Sequence, residues 1–149
     1  MPDSDVPGAK RILTYGTFDL LHHGHLRLLE RLHAMGGWLG IGLSTEHFNR
    51  IKGKEALEPY ETRASALLDT GMVDLVFPEN DWGQKQSDII RLQVHILAMG
   101  DDWEGRFDHL ANRDVRVIYL PRTPDIDSTR LREQLRPGQS GAGSEEPRT

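Results

Sequence analysis

The chain's 149 residues, 37% hydrophobic and 28% charged, suffice for one packed domain and are too few for two. A net charge of −5 argues against a general nucleic-acid binder, and no apolar run approaches membrane-spanning length. With no cysteine there is no disulfide and no thiol nucleophile; the start shows no signal-peptide pattern, and the whole fits a cytoplasmic setting.

Residues 1–10 carry Pro2, Pro7, Gly8 and two aspartates and read as a loose tail. Arg11–Gly16 reads as a buried strand. A helix over His23–Met35 follows, with Leu28, Leu29, Leu32 and Met35 on one face, stopped by Gly36-Gly37. The turn between them lies at the carboxyl end of a strand, where open α/β sheets bind ligands. A helix start offers unpaired N–H groups and a partial positive charge, which suit phosphate. His22 and His25 are three apart, so their rings share one side of the helix, and Gly24 between them lets a phosphate approach. Two imidazoles can each donate an N–H to one phosphate group. A metal pair on a helix more often sits four apart with a carboxylate beside it. The bland alternative is a surface helix that happens to carry histidines.

Trp38–Ser44 reads as a second strand. Its Gly40-x-Gly42 opens no helix, so the dinucleotide fingerprint is absent. Residues 51–55 (IKGKE) read as a mobile loop whose Lys52 and Lys54 either close over phosphates or are simply solvated. A helix opens at Pro59-Tyr60-Glu61-Thr62-Arg63 and runs to Thr70, with Ala64, Leu67 and Leu68 buried. Arg63 is either a planar phosphate fork or half of a surface ion pair with Glu61 or another neighbour.

Val73–Pro78 is a third strand. Gln84–Gln93 is a helix, and Trp82 before it either walls a site or plugs a core edge. His95–Met99 is a fourth strand. It ends in GDDWEG, which by itself reads as an acidic turn at a strand's carboxyl end; carboxylates in such a place, Asp102 among them, can accept hydrogen bonds from hydroxyl or amino groups or hold Mg²⁺ through water. Val115–Leu120 is a fifth strand, followed by residues 121–132 (PRTPDIDSTRLR). Asp127, Ser128 or Thr129 can cap a helix running to Leu135. Residues 136–149 read as a disordered tail. Strands alternating with helices imply one domain over residues 11–135, a Rossmann-like α/β fold. Its sheet has about five strands, mostly parallel, with helices on both faces.

Tyr-Gly-Thr-Phe-Asp-Leu-Leu-His-x-Gly-His resembles the HxGH nucleotidylyltransferases. With GDDWEG and the stretch from Arg122, it resembles most the glycerol-3-phosphate cytidylyltransferases, over about Arg11–Leu135. The resemblance implies in-line attack by sn-glycerol 3-phosphate on CTP, with Mg²⁺, giving CDP-glycerol and pyrophosphate. His22 and His25 would contact the phosphates under transfer. Lys52, Lys54 and Arg63 would neutralise charge, and Asp19 would organise the first loop or a hydrated Mg²⁺. Thr17, Phe18, Asp102, Arg122, Thr123, Ser128 and Thr129 would hold the nucleotide, and Lys52, Arg63, Asp74 and Trp82 the acceptor. The resemblance also implies a homodimer and a product that feeds teichoic acid or another surface glycopolymer. It implies small-molecule substrates (CTP and a polyol phosphate), with no nucleic-acid or membrane partner.

Three positions depart from the family pattern: Gly71 replaces an arginine, Asp125 a glycine and Asp127 a serine. A carboxylate beside a triphosphate repels it unless it faces away or caps the helix. Two other readings stand beside this one. One is an adenylyltransferase using ATP with a sugar phosphate or FMN. The other is a non-catalytic nucleotide-binding module.

Overall fold

Strands form where apolar side chains alternate between two faces. In β1 (Arg11–Gly16), Ile12 points to one side of the sheet and Leu13 and Tyr15 to the other, all of them buried. The computed structural model describes residues 10–121. Within them β1 pairs with β2 (Trp38–Ser44), β2 with β3 (Leu75–Glu79), β1 with β4 (Ile96–Gly100) and β4 with β5 (Arg116–Leu120), all in parallel. The strand order is β3-β2-β1-β4-β5, a doubly wound sheet whose order reverses beside β1.

Each face has its own core. On one side α1 (His23–Met35) and α3 (Tyr60–Asp69) bring Leu29, Leu32 and Leu67 against Ile12, Ile41, Leu43 and Ala98. On the other, Ile89 of α4 (Lys85–Arg91) joins Leu13, Tyr15, Leu97, Met99 and Phe107. The expected single Rossmann-like sheet with helices on both faces is therefore what forms. Strand β2 is glycine-rich because that second face has no room for more. A Cβ at Gly40 would come within 2.6 Å of the Trp38 ring, and one at Gly42 would overlap the ring of Tyr15.

Between β1 and β4 the ladder runs only through Ile12–Ile96 and Leu13–Leu97. The two strands are thus unlaced before their carboxyl ends, at the reversal point where a doubly wound sheet takes ligands. No helix among the described residues is long and apolar enough to cross a membrane.

Three elements depart from the sequence reading by more than a single residue at an end. Residues 51–55 are not a free loop, because α2 (Glu46–Lys52) covers Lys52. Thr45 caps α2 by accepting from Phe48 N, and Gly53 ends it at φ 78. Strand β3 starts at Leu75 rather than Val73. Asp74 first exchanges hydrogen bonds with Leu39, its carboxylate accepting from Leu39 N and its N–H donating to Leu39 O, both at 2.8 Å. The helix expected over 84–93 is α4 alone, preceded by a single 3-10 turn at Trp82–Gln84 and closed before Gln93, whose φ is 55. Lys10, expected in the N-terminal tail, accepts from Gly37 N and Trp38 N; the rest of the stretches expected as tails, together with the segment carrying Arg122, Thr123, Asp125, Asp127, Ser128 and Thr129, lie outside the described residues.

Candidate active site

The loop from β1 to α1 is set by side chains gripping backbone. His22 is the N-cap of α1: its Nδ1 accepts from Gly24 N at 3.0 Å, while His25 Nδ1 accepts from His22 N at 3.2 Å. A ring nitrogen that accepts from an N–H cannot itself carry a proton. Each neutral imidazole is therefore fixed as its Nε2–H tautomer. The rings stack with centroids 4.0 Å apart, and Phe18, only 1% exposed, backs His25 at 5.2 Å. The Phe18 ring is thus buried against a histidine of the pair.

Two residues of this loop without glycine's freedom hold positive φ, Phe18 at 49 and Leu20 at 51. Such conformations cost roughly 1–3 kcal/mol each and persist where neighbours enforce them. Here the neighbours are residues 57 and 58. The Asp19 carboxylate accepts from Leu57 N (2.8 Å) and Glu58 N (3.0 Å), and Leu20 N donates to Glu58 Oε1. Of the two roles expected for Asp19, organising the first loop is the one this geometry displays.

Arg63 sits at the centre of the same arrangement and is fully buried. Nε donates to Glu58 O at 2.9 Å, and one terminal nitrogen donates to Thr17 O (3.0 Å) and Ser44 O (2.8 Å). The other terminal nitrogen lies 3.6 Å from Glu46 Oε2 and makes no hydrogen bond. The sequence reading put this fork on the substrate phosphates or on a surface ion pair. In the structure the fork is buried, ties the end of β2 and the β1 loop to the strap at residue 58, and keeps an ion pair with a neighbour, Glu46, at 3.6 Å. Asn49, buried in α2, completes the knot by accepting from Ser44 Oγ (2.8 Å) and Thr17 Oγ1 (3.3 Å).

Beside this loop lies a recess lined by Gly16, Lys52, Lys54, Glu79, Lys85 and Trp82, with Tyr15, Met99, Trp103 and Phe107 behind them. Lys52 ends α2 with its ammonium 4.8 Å from the Phe48 ring. Burial lowers its pKa to about 8; Glu79 opposes the shift, and Lys54 and Lys85 add to it. Lys85 and Glu79 form an ion pair at 2.9 Å with both side chains enclosed. Burial pushes the Glu79 carboxyl up, against the pull of the Lys85 ammonium. Tyr15 donates to Asp88 Oδ2 at 2.8 Å, and burial together with that carboxylate raises its pKa. Trp82, half exposed, packs its edge on Phe48 and leans on Trp103, so it both seals a core edge and walls the recess.

A sequence profile described as cytidylyltransferase-like matches residues 13–134. The chain belongs to the cytidylyltransferase-like family. This cytidylyltransferase-like chain is 48% identical to the glycerol-3-phosphate cytidylyltransferase of Staphylococcus aureus over 126 residues, covering 85% of this chain and 95% of that protein. It is 47% identical to the enzyme of the same name from Bacillus subtilis, covering 85% and 97%. The crystal structure of a lipopolysaccharide core biosynthesis protein from Thermoplasma volcanium superposes with a TM-score of 0.65 at 20% identity. That match covers 78% of this chain and 99% of the other, and it speaks for the fold.

Of the cytidylyltransferase-like residues expected at the site, His22, His25 and Thr17 meet at the loop after β1, and Lys52, Lys54 and Trp82 at the recess beside it. Asp102 stands exposed in the 3-10 turn Asp101–Trp103 at the carboxyl end of β4, with Trp103 of the same turn facing the recess. Asp74 is not brought to the site. It pairs with Leu39 ahead of β3, at the opposite end of the sheet from the carboxyl-terminal loops, and is a strand anchor. Lys85 and Glu79 were missed. Neither belongs to a local pattern, and Lys85 reads in sequence as an ordinary helix-surface lysine.

Proposed function

We propose that this chain joins CTP to sn-glycerol 3-phosphate, forming CDP-glycerol and pyrophosphate. The observation that carries the reading is the pinned histidine pair. Two backbone N–H groups hold both Nδ1 atoms as acceptors, which puts the N–H of each neutral ring on Nε2, at a helix N-terminus beside the sheet's reversal point. A phosphoryl group bound there can accept from both Nε2–H groups.

A phosphate oxygen of the acceptor attacks the α-phosphorus of CTP in line. The new P–O bond forms as the bond from the α-phosphorus to the bridging oxygen breaks, and pyrophosphate leaves with that oxygen. The acceptor is already an anion, so no proton need be removed and no protein nucleophile is needed. Catalysis then rests on positioning and charge. His22 and His25 donate to the phosphoryl oxygens in transfer, and Lys52 and Lys54 neutralise the triphosphate and acceptor. Arg63, Asn49 and Asp19 act at one remove, holding the loop that aims the histidines.

Mg²⁺ enters this reading with the nucleotide. Among the described residues no three histidine, aspartate or glutamate side chains cluster as a metal cage, and the Asp19 carboxylate is engaged by two backbone amides. That donor set fits a cation carried mainly by phosphate oxygens and water, where it offsets triphosphate charge. In keeping with the resemblance, we take the working form to be a cytoplasmic homodimer, which light scattering checks.

Pyrophosphate release with Mg²⁺ tests the reading, crossing CTP and ATP against phosphomonoesters that include both glycerol phosphate enantiomers. Turnover confined to CTP with sn-glycerol 3-phosphate is expected. ATP-dependent turnover would replace it with an adenylyltransferase, and nucleotide binding without turnover would replace it with a regulatory module.

A further inference from the structure

Lys85 is an ammonium in a box of rings. Its Nζ lies 4.4 Å from the centre of the Tyr15 ring, 4.9 Å from that of Phe107 and 5.8 Å from that of Trp82. Glu79 Oε2 closes the set at 2.9 Å, and Lys85 is 3% exposed. Aromatic faces with a carboxylate beside them are how proteins bind alkylammonium ligands. Here the chain's own side chain fills such a site, in the wall of the recess that Lys52 and Lys54 also line. Three lysines against one carboxylate leave that wall net positive. An acceptor bringing its own ammonium would meet like charge and find the aromatic site taken.

We propose that this self-filled ammonium box, Lys85 held by Glu79, Tyr15, Phe107 and Trp82, sets the acceptor class. It admits phosphomonoesters of uncharged polyols and excludes those of amino alcohols. The inference rests on the cytidylyltransferase reading above and goes beyond it, because it assigns the selection to one charge and its cage. It also makes a reciprocal claim. Removing the Lys85 side chain while leaving Glu79 and the rings in place should create a vacant ammonium site.

The test uses the full chain with CTP, Mg²⁺ and three acceptors: glycerol 3-phosphate, phosphoethanolamine and phosphocholine. The wild type should favour glycerol 3-phosphate by about 100-fold or more in kcat/KM, the scale on which a like charge in a closed site discriminates. Lys85→Ala should lose most turnover of glycerol 3-phosphate, and added ethylammonium should restore part of it. Its preference ratio should move toward phosphocholine by about tenfold or more. Ethylammonium should also change the tryptophan fluorescence of Lys85→Ala, through Trp82 and Trp103 at the box, and leave the wild type unchanged.

Wild-type use of phosphocholine on a par with glycerol 3-phosphate overturns the proposal whatever the variants do. So does a folded Lys85→Ala that loses all acceptors in proportion and shows no fluorescence response to the amine. Should Lys85→Ala not fold, Lys85→Met fills the box without charge. It must still shift the ratio toward phosphocholine, with no rescue by amine, and an unshifted ratio overturns the proposal. If the wild type turns over no acceptor, the cytidylyltransferase reading has failed. The fluorescence response then decides the box independently, its presence supporting an ammonium site and its absence overturning one.

Discussion

Replacing Arg63 by lysine keeps the charge and removes the fork. In the structure the guanidinium makes three hydrogen bonds to carbonyl oxygens, of Glu58, Thr17 and Ser44, at 2.9, 3.0 and 2.8 Å. An ammonium at the end of a straight chain cannot reproduce that planar geometry and would keep about one of the three. Hydrogen bonds to a charged donor contribute about 1.5–3 kcal/mol each, so losing two at this fully buried side chain costs about 3–6 kcal/mol. For a chain of this size each kcal/mol moves Tm by about 2–4 °C, so Arg63→Lys should melt roughly 6 °C or more below the wild type. The same bonds hold the Thr17 carbonyl and the residue-58 strap, so kcat should fall alongside stability as the histidines lose their aim. Differential scanning calorimetry and steady-state pyrophosphate release on the same preparations measure both. The argument fails if Tm stays within about 2 °C of the wild type while kcat/KM collapses. That pairing is what a fork placed on substrate phosphates would give.

Three other outcomes follow from the site. His25→Ala removes one donor to the phosphoryl oxygens and should lower kcat by about 10²–10³, or roughly 3–4 kcal/mol of transition-state stabilisation; unchanged kcat and kcat/KM would remove His25 from the chemistry. Burial lowers Lys52 to about 8, so the free enzyme loses this positive charge as pH rises through that value. Hence kcat/KM should fall above about pH 8, and Lys52→Arg, which stays charged, should flatten the profile; a wild-type profile flat up to the ordinary lysine range would refute the assignment. Tyr15→Phe deletes the buried bond to Asp88, whose other oxygen still meets Arg91, and should cost about 1 kcal/mol in urea denaturation.

Much of this was legible in the sequence because it is local. Arg11–Gly16 and His23–Met35 form where periodicity placed them, and the HxGH spacing alone puts two rings on one side of a helix start. The strand order was not legible, since nothing local tells β4 to pair with β1 rather than with β3. Arg63 was recognisable as a residue that matters but not by its role, because its partners come from three segments: Thr17, Ser44 and Glu58. Lys52 was placed in a free loop because Gly53 masks the end of a helix that Thr45 begins. Lys85 and Glu79 stood outside any pattern. They meet six residues apart across the end of a strand and the start of a helix, and their aromatic surroundings come from β1 and the segment after β4.

The missing side chain at Gly42 reaches further than its strand. Tyr15 lies where a Cβ at position 42 would go, with Phe77 also close by, and the same Tyr15 ring holds the Lys85 ammonium 4.4 Å from its centre. A methyl group at 42 would displace that ring, which lines the recess, and so change the recess's shape with every lining residue kept. Two chains could thus share an identical set of contact residues and still differ in what they accept. Drift in acceptor preference within such a lineage would show first at a position that touches no ligand.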